Sequence, residues 1–192
     1  MKVLIACEYT GAVRDAFRAR GHDAWSCDIV DGVGDYHIKD DALAVMHDDW
    51  DLMIAHPPCT HLAVSGARWF KGKAEQQAEA LRFVQSLMDA PIGRICIENP
   101  VSVISSKIRP PDQIIHPYHF GDPHSKSTCL WLKGLEPLVH TNVVEPEWHY
   151  FKSGKRWPKW YYETGNLKGE ERRRARDKTF PGIAKAMAEQ WG

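Results

Sequence analysis

Residues 3–28 read VLIACEYTGAVRDAFRARGHDAWSCD. The apolar run VLIAC predicts a short buried strand that ends in a turn containing Gly11, and GAVRDAFRARG has the spacing of an amphipathic helix that ends at Gly21. DAWSCDIV then predicts a second strand. Strands that alternate with helices in this way indicate an α/β fold built on a doubly wound parallel sheet.

The alternation continues to about residue 100. Three further segments are typical of strands, namely YHIK, DLMIA and GRICIEN, and AEQQAEALRFVQSLMDA predicts a helix before Pro91. After Pro100 the pattern changes: STCLWL is one more strand candidate, and FPGIAKAMAEQW predicts a closing helix with Pro181 in its first turn. The stretch from about Glu145 to Lys178 looks loop-rich. Length and pattern together predict a single domain over residues 1–192.

Composition excludes several classes of protein. The hydrophobic fraction of 43% and the charged fraction of 26% are close to the averages for globular proteins, which excludes collagen, coiled coil and extensive disorder. No stretch approaches the ~18 consecutive apolar residues of a membrane span, and MKVLIACE is too short for a secretory signal. The 5 cysteines form no C-x-x-C pair, which disfavours a disulfide framework and a structural zinc site. We therefore expect a cytoplasmic protein.

Charge is unevenly distributed. The chain has a net charge of zero, yet residues 151–178 hold ten basic and four acidic side chains. Such a segment is suited to neutralising phosphates, although many charged segments are only solvated surface. Seven aromatic residues interleave with or adjoin these bases: Trp148, Tyr150, Phe151, Trp157, Trp160, Tyr161 and Tyr162. They suit either base stacking or a small satellite core.

Polar residues cluster at the predicted carboxyl ends of the strands. They are Glu8 and Tyr9 after the first strand, Asp28 in the second, His56 to Thr60 after the fourth, and Glu98 and Asn99 in the fifth. In open parallel sheets ligands bind at this edge. The turn CEYTGAV has a single glycine, so it lacks the dinucleotide fingerprint and the P-loop lysine, but Asp28 lies where an acid accepts hydrogen bonds from ribose.

Cys59 is the candidate nucleophile of this edge. The prolines Pro57 and Pro58 stiffen the loop that presents its sulfur, and a helix N-terminus, His56 or His61 could support the thiolate. Glu98 ends an apolar strand, so we expect burial to raise its pKa and make it a proton donor near neutrality. The alternative of a metal site is disfavoured, because His56, Cys59 and His61 are too close together and constrained by proline. No metal is expected.

Four motifs carry a resemblance to a known family. HPPCTHLAVSGARWF, IENP, FGDPHSKSTCLWLKGL and the terminal FPGIA resemble, in this order, the DNA cytosine-5 methyltransferases, and most of all their short phage and prophage members. The resemblance implies a Rossmann-like class I fold that binds S-adenosylmethionine. In that fold a mostly parallel sheet has helices on both faces, here with a small loop-rich basic and aromatic insertion. If the chain derives from a phage, it acts in the bacterial host cell.

The resemblance also implies residue roles. Cys59 corresponds to the nucleophile that adds to C6 of cytosine, Glu98 to the acid at N3, and Asn99 and Pro58 to their supporting neighbours. The residues implied in binding S-adenosylmethionine, and its product S-adenosylhomocysteine, are Glu8, Tyr9, Thr10 and Gly11 on the methionine part, Asp28 at the ribose, Asp41 at the adenine amino group and Pro57 at the sulfonium. Ile29, next to Asp28, is also expected to contact the cofactor. Implied substrate contacts are Thr60, Ser65, Arg68, Lys126 and Thr128.

Three departures from the family keep the substrate open. Lys126 and Thr128 stand where the family usually has Gln-x-Arg-x-Arg, Thr60 replaces a glutamine, and only the segment of about residues 145–178 stands in place of a large target-recognition domain. DNA, duplex or single-stranded, is the first expectation. A free cytidine nucleotide such as dCMP, with Lys126, Arg68 or Arg109 on its phosphate, is the second. A catalytically silent nucleic-acid-binding or anti-restriction module is the third. Neither a membrane nor a protein partner is indicated.

Overall fold

A computed structural model describes residues 1–192, apart from the side chains of Arg68 and Trp69. Its main sheet has seven strands: β1 (Lys2–Ala6), β2 (Asp23–Asp28), β3 (His37–Lys39), β4 (Leu52–Ala55), β5 (Ile95–Pro100), β6 (Gln113–Ile115) and β7 (Thr128–Lys133). A separate two-stranded hairpin comprises β8 (Trp148–Tyr150) and β9 (Arg156–Pro158). The helices are α1 (Ala12–Arg18), α2 (Ala42–Val45), α3 (Ala74–Met88), α4 (Ile104–Lys107), α5 (Lys159–Gly165), α6 (Gly169–Asp177) and α7 (Pro181–Trp191).

The strand order of the main sheet is β3-β2-β1-β4-β5-β7-β6. β7 runs antiparallel to β5 and β6, and the other neighbouring strands are parallel. The segments VLIA and LMIA of β1 and β4 are fully buried at the centre. Continuous apolar runs of this kind are typical of parallel strands covered on both faces. The predicted α/β architecture, with a mostly parallel sheet, is therefore confirmed.

Alternate residues of the central strands face two separate helical layers. Leu4 and Ala6 of β1 belong to the core cluster that contains residues of α2, α3 and α4. Val3 and Ile5 belong to the cluster that contains residues of α1 and α7. Helices therefore cover both faces of the sheet, as predicted. None of the helices in the part of the chain that the structure describes is long and apolar enough to cross a membrane.

The segment of about residues 145–178, predicted to be loop-rich, is largely regular: it holds β8, β9, α5 and α6. Sequence periodicity missed these elements because they bury little apolar surface. No residue of α5 or α6 is buried. Helix α6 is held instead by polar contacts, among them Arg174 to Glu170 one turn earlier at 2.7 Å.

Candidate active site

The carboxyl ends of three central strands lie side by side at one edge of the sheet. Ala6 at the end of β1 pairs with Ala55 at the end of β4, and Ala55 pairs with Ile97 in β5. The strand order also reverses between β1 and β4, and at such a switch point the adjoining loops diverge and leave a crevice. The segments that follow β1 and β4, with the end of β5, therefore surround one crevice.

Cys59 is presented by a loop that is held at both ends. His56 N donates to Ala6 O at 2.9 Å, which extends the pairing of β4 by one residue. Asn99 Nδ2, buried in β5, donates to Pro57 O at 2.8 Å. Beyond the cysteine, the amides of Leu62 and Ala63 both donate to Cys59 O. Pro57 is buried and Pro58 exposed, so the half-buried thiol lies at the end of a rigid strand extension.

Glu98 forms a buried ion pair with His56. The carboxylate Oε2 accepts from His56 Nδ1 at 2.8 Å, and the two side chains are 14% and 11% exposed. Burial acts to raise the pKa of Glu98, but the hydrogen bond from His56 and the charge of Lys126 outweigh it and hold that pKa below its usual value. The expectation of a raised pKa for Glu98 was wrong because the sequence gives no sign of this partner.

His56 holds the proton of the pair. Burial acts to lower the pKa of His56, but the hydrogen bond and charge of Glu98, with the charge of Glu8, outweigh it and raise that pKa. Its other nitrogen, Nε2, is buried and has no hydrogen-bond partner among the described residues, and the same holds for Oδ1 of Asn99. Buried polar atoms without partners are rare, and here two of them belong to residues at the same crevice.

The thiol of Cys59 is not activated in this conformation. Burial, the negative charge of Asp177 and that of Glu98 raise its pKa, while the charge of Lys126 acts to lower it. His56, one of the groups expected to support the thiolate, is engaged by Glu98 instead, and the charge of Asp177 at the carboxyl-terminal end of α6 opposes the thiolate. The only favourable charge acting on Cys59 among the described residues is that of Lys126.

Lys126 connects the crevice with the basic segment. Its Nζ donates to Arg176 O near the end of α6 at 3.1 Å, a position where the helix dipole also favours a cation. Its charge acts on Glu98, His56 and Cys59 alike. The sequence predicted Lys126 only as a substrate contact. Its position near Glu98 depends on the antiparallel direction of β7, which the sequence did not indicate.

The turn after β1 is shaped by Glu8, Gly11 and Arg14. Glu8 is buried, and its carboxylate accepts from the amides of Val13 and Arg14 at 2.8 and 3.3 Å, so it caps α1. Burial raises the pKa of Glu8, against the charge of His56 and these hydrogen bonds. Gly11 has a φ of 75°, and an added Cβ there would lie 2.1 Å from the guanidinium of Arg14.

Sequence reasoning missed Arg14. This side chain is buried and donates to Ser26 Oγ at 3.1 Å and to Val33 O at 2.9 Å, which ties α1 to β2 and to the loop after it. The available signal was its place between Val13 and Phe17 on the apolar side of the predicted helix. A basic residue there needs hydrogen-bond partners, because a buried guanidinium without them is costly.

The other predicted cofactor residues line the same side of the crevice. Asp28, at the end of β2, is half-buried and its Oδ1 accepts from Val30 N at 3.2 Å. Ile29 is 74% exposed, and Val30 and Val33 beside it are also exposed. Tyr9 and Thr10 are half-buried. Asp41 is exposed and caps α2 by accepting from Leu43 N at 2.9 Å.

The predicted substrate contacts divide into three groups. Thr60 and Ser65 are exposed in or after the Cys59 loop, and the side chain of Arg68 lies outside the described residues. Thr128 is only 3% exposed and pairs with Pro100 and Ile115 within the sheet, so it is not open to a substrate here.

The side chains that the structure describes include no group of three His, Cys, Asp or Glu residues that could hold a metal ion.

Comparisons with known proteins add little to this geometry. No protein-family model and no curated protein matches the chain. A similar solved structure is described as a candidate DNA modification methyltransferase encoded within a prophage of E. coli; it is 10% identical, with a TM-score of 0.47. The match covers 74% of this chain and 51% of that one, so the chain spans about half the length of that protein. A likeness this distant assigns no function.

Proposed function

We propose that the protein is a class I, S-adenosylmethionine-dependent methyltransferase that modifies cytosine at C5 in DNA. The observation that carries the proposal is the joint placement of Cys59 and Glu98. Cys59 follows a proline-stiffened extension of β4, and Asn99 ties that extension to β5, which also bears Glu98. A nucleophile and an ionisable group thus lie on neighbouring segments of one crevice, as addition to a pyrimidine ring requires.

The topology supports the proposal. The first five strands follow the order 3-2-1-4-5 of doubly wound nucleotide-binding sheets, with the crevice at the switch between β1 and β4. A reversed strand between the fifth and sixth is also the arrangement of the class I fold that the motif resemblance implies. The fold alone does not define the reaction, so the assignment rests on the residues at the crevice.

The residues present fit S-adenosylmethionine. Half-buried Asp28 can accept from a ribose hydroxyl, and exposed Ile29 beside it offers an apolar surface to the nucleoside. The unpartnered Nε2 of His56 is a further polar contact in reach of the crevice. Glu8 contributes indirectly, because its carboxylate is occupied in capping α1.

The chemistry assigns a role to each group. C5 of cytosine is a poor nucleophile until a bond forms between Cys59 Sγ and C6, and Lys126 favours the thiolate that this step needs. The Glu98–His56 pair shares one proton and stabilises the charge that develops on the ring beside N3. Bound S-adenosylmethionine supplies the methyl group that C5 takes up. Transfer of the C5 proton to water then lets the electron pair of that C–H bond form the C5–C6 double bond, which expels the Cys59 thiolate, and the ring gives its extra proton at N3 back to the pair.

The alternative of a free nucleotide substrate has less support. Arg109, one of the proposed phosphate ligands, donates to Asp112 at 2.8 Å and to Leu132 O at 3.0 Å. Leu132 pairs with Cys96, two residues before Glu98 on β5, so Arg109 lies away from the crevice. Lys126 is likewise engaged, by Arg176 O. A dianionic phosphate near Glu98 would therefore have to displace existing contacts.

A methyl-transfer assay tests the proposal. The protein is incubated with methyl-labelled S-adenosylmethionine and duplex DNA, single-stranded DNA or dCMP, and the acceptor is identified. We expect label at C5 of cytosine in DNA, loss of transfer in Cys59→Ser, and full transfer in Cys96→Ala, which removes a thiol that is buried in the core. A DNA strand containing 5-fluorocytosine should form a covalent adduct at Cys59. An adduct at another residue, or transfer only to dCMP, would contradict the proposal.

A further inference from the structure

The aromatic residues of the β8–β9 hairpin and α5 form two sets. An inner set packs together: the rings of His149 and Tyr162 are stacked with centroids 3.5 Å apart, and Phe151 meets Tyr162 edge-on at 5.7 Å. Outside this set, Tyr150 is 65% exposed, Trp157 48% and Tyr161 37%. The segment therefore has a small core of its own and, in addition, aromatic faces that its packing does not cover.

Two of the exposed rings belong to one surface. Trp157 and Tyr161 lie 5.9 Å apart, and the guanidinium of Arg176 lies 4.4 Å from the ring centre of Tyr161. Arg176 O in turn accepts from Lys126 at the Cys59 crevice. We name Trp157, Tyr161 and Arg176 the aromatic platform. Tyr150 pairs with Arg156 rather than with Trp157, and neighbouring strand residues point to opposite faces, so Tyr150 lies on the other face of the hairpin.

The geometry of the platform selects unpaired bases. The planes of Trp157 and Tyr161 are inclined at 73°, so one base cannot stack on both rings. Successive bases within a duplex are parallel and about 3.4 Å apart along each strand, and they cannot meet two rings at this angle. Bases that are splayed out of a single strand can each take one ring.

Charge on the segment favours a polyanion. Residues 151–178 carry ten basic and four acidic side chains, and Lys152 and Lys155, in the hairpin turn, are both exposed. Cations that flank a stacking surface can follow a phosphate backbone while the rings hold the bases. Neither a protein helix nor a lipid surface requires the combination of two inclined rings with a cation beside one of them.

We propose that the aromatic platform binds an unpaired strand of DNA and leads it toward Cys59. The contacts run without a break from Trp157 through Tyr161 and Arg176 to Lys126. The direction toward Cys59 rests on the proposed methyltransferase function, whereas strand binding does not depend on methyl transfer. The substrate would then be single-stranded DNA, or duplex DNA opened at the target.

Binding of labelled oligothymidine, about 16 nucleotides long, tests this inference by fluorescence anisotropy. Because this strand contains no cytosine, its binding does not depend on methyl transfer. Absence of methyl transfer therefore contradicts the proposed function, whereas absence of oligothymidine binding contradicts the role of the aromatic platform. We expect the single strand to bind more tightly than a duplex of the same length, and Trp157→Ala and Tyr161→Ala each to raise Kd about tenfold or more. Trp157→Phe and Tyr161→Phe, which keep a ring, should stay close to the parent.

Tyr150→Ala is the matched control, because it removes a more exposed ring of the same hairpin from the opposite face. It should leave Kd unchanged, and thermal unfolding of each variant should show that the fold is retained. Equal losses in Tyr150→Ala and Trp157→Ala would overturn the inference. So would tighter binding to the duplex, or phenylalanine variants as weak as the alanine variants.

Discussion

His56 Nδ1 lies 2.8 Å from Glu98 Oε2, and the two residues come from adjacent strand ends that are 42 positions apart in the chain. This pair changes the chemistry of Glu98 from that of an isolated buried acid to that of a carboxylate with a protonated partner. The acidity of this end of the crevice therefore depends on two residues together.

The pair should make stability depend on pH in a defined window. The pKa of His56 is raised from 6.5, so its contribution is fully present below 6.5 and is lost as pH rises through the folded value. The pKa of Glu98 is lowered from 4.5, so its contribution is present above 4.5 and is lost as pH falls through the folded value. The pair should therefore contribute most to the stability of the fold between pH 4.5 and pH 6.5.

Thermal unfolding of His56→Gln as a function of pH measures this effect. We expect a loss of roughly 3 kcal/mol in the window, because Glu98 is left buried without its partner, and a smaller loss at higher pH. Asp31→Asn is the control, since it breaks the exposed pair between Asp31 and Lys39 and should leave the unfolding midpoint almost unchanged. A loss in His56→Gln that is the same at every pH would contradict the ion pair.

Asn99 should act by positioning the Cys59 loop. Asn99→Ala removes the donor to Pro57 O, the only one among the described residues, and we expect a loss of about 1–3 kcal/mol in the free energy of unfolding. Adduct formation between Cys59 and a 5-fluorocytosine strand should slow as well, because the sulfur is no longer held. Asn166→Ala, on the exposed surface after α5, serves as control. Normal adduct kinetics in Asn99→Ala would show that the loop is held by other contacts.

Asp177 should restrain the reactivity of Cys59. Its charge raises the pKa of the thiol, so Asp177→Asn is expected to lower that pKa and to speed alkylation of Cys59 by iodoacetamide roughly twofold near pH 8. Lys126→Met should slow it, because the opposing cation is lost. Peptide mass spectrometry distinguishes Cys59 from the other four cysteines. Glu171→Gln, which changes an exposed charge at the other end of α6, should have no effect; a change there equal to that of Asp177→Asn would refute a local charge effect.

Alanine substitutions at Gly11 and Gly21 distinguish the destabilisation caused by backbone strain from that caused by steric crowding. Both have a positive φ, of 75° and 84°, so an alanine at either position is strained by roughly 1–2 kcal/mol. Only at Gly11 would the new Cβ also meet Arg14, whereas it meets nothing within 4 Å at Gly21. Gly11→Ala should therefore be the more destabilising change and should also weaken binding of S-adenosylhomocysteine in calorimetry. Equal effects of the two changes would mean that Arg14 moves away freely.

Sequence predicted the sheet well because apolar runs and helical spacing report burial directly. The strands containing Ile5, Ile54 and Ile97 and the helices containing Phe17 and Val84 were all found in this way. The same reasoning identified Cys59 and Glu98, since polar residues directly after apolar strands meet at one edge of a parallel sheet.

The parts that sequence missed depend on contacts between distant positions. The pairing of His56 with Glu98 and the approach of Asp177 to Cys59 leave no periodic signal. The elements of residues 145–178 were missed for a related reason: stacked rings and ion pairs stabilise them, and neither produces an amphipathic repeat.

The direction of β7 has a further consequence. If β7 ran parallel to β5, the residues after β7 would lie at this crevice. Because β7 is antiparallel, the residues before it, including Lys126, lie there instead. An insertion or deletion of one residue between Gly121 and Thr128 should therefore shift Lys126, the cation whose charge acts on Glu98.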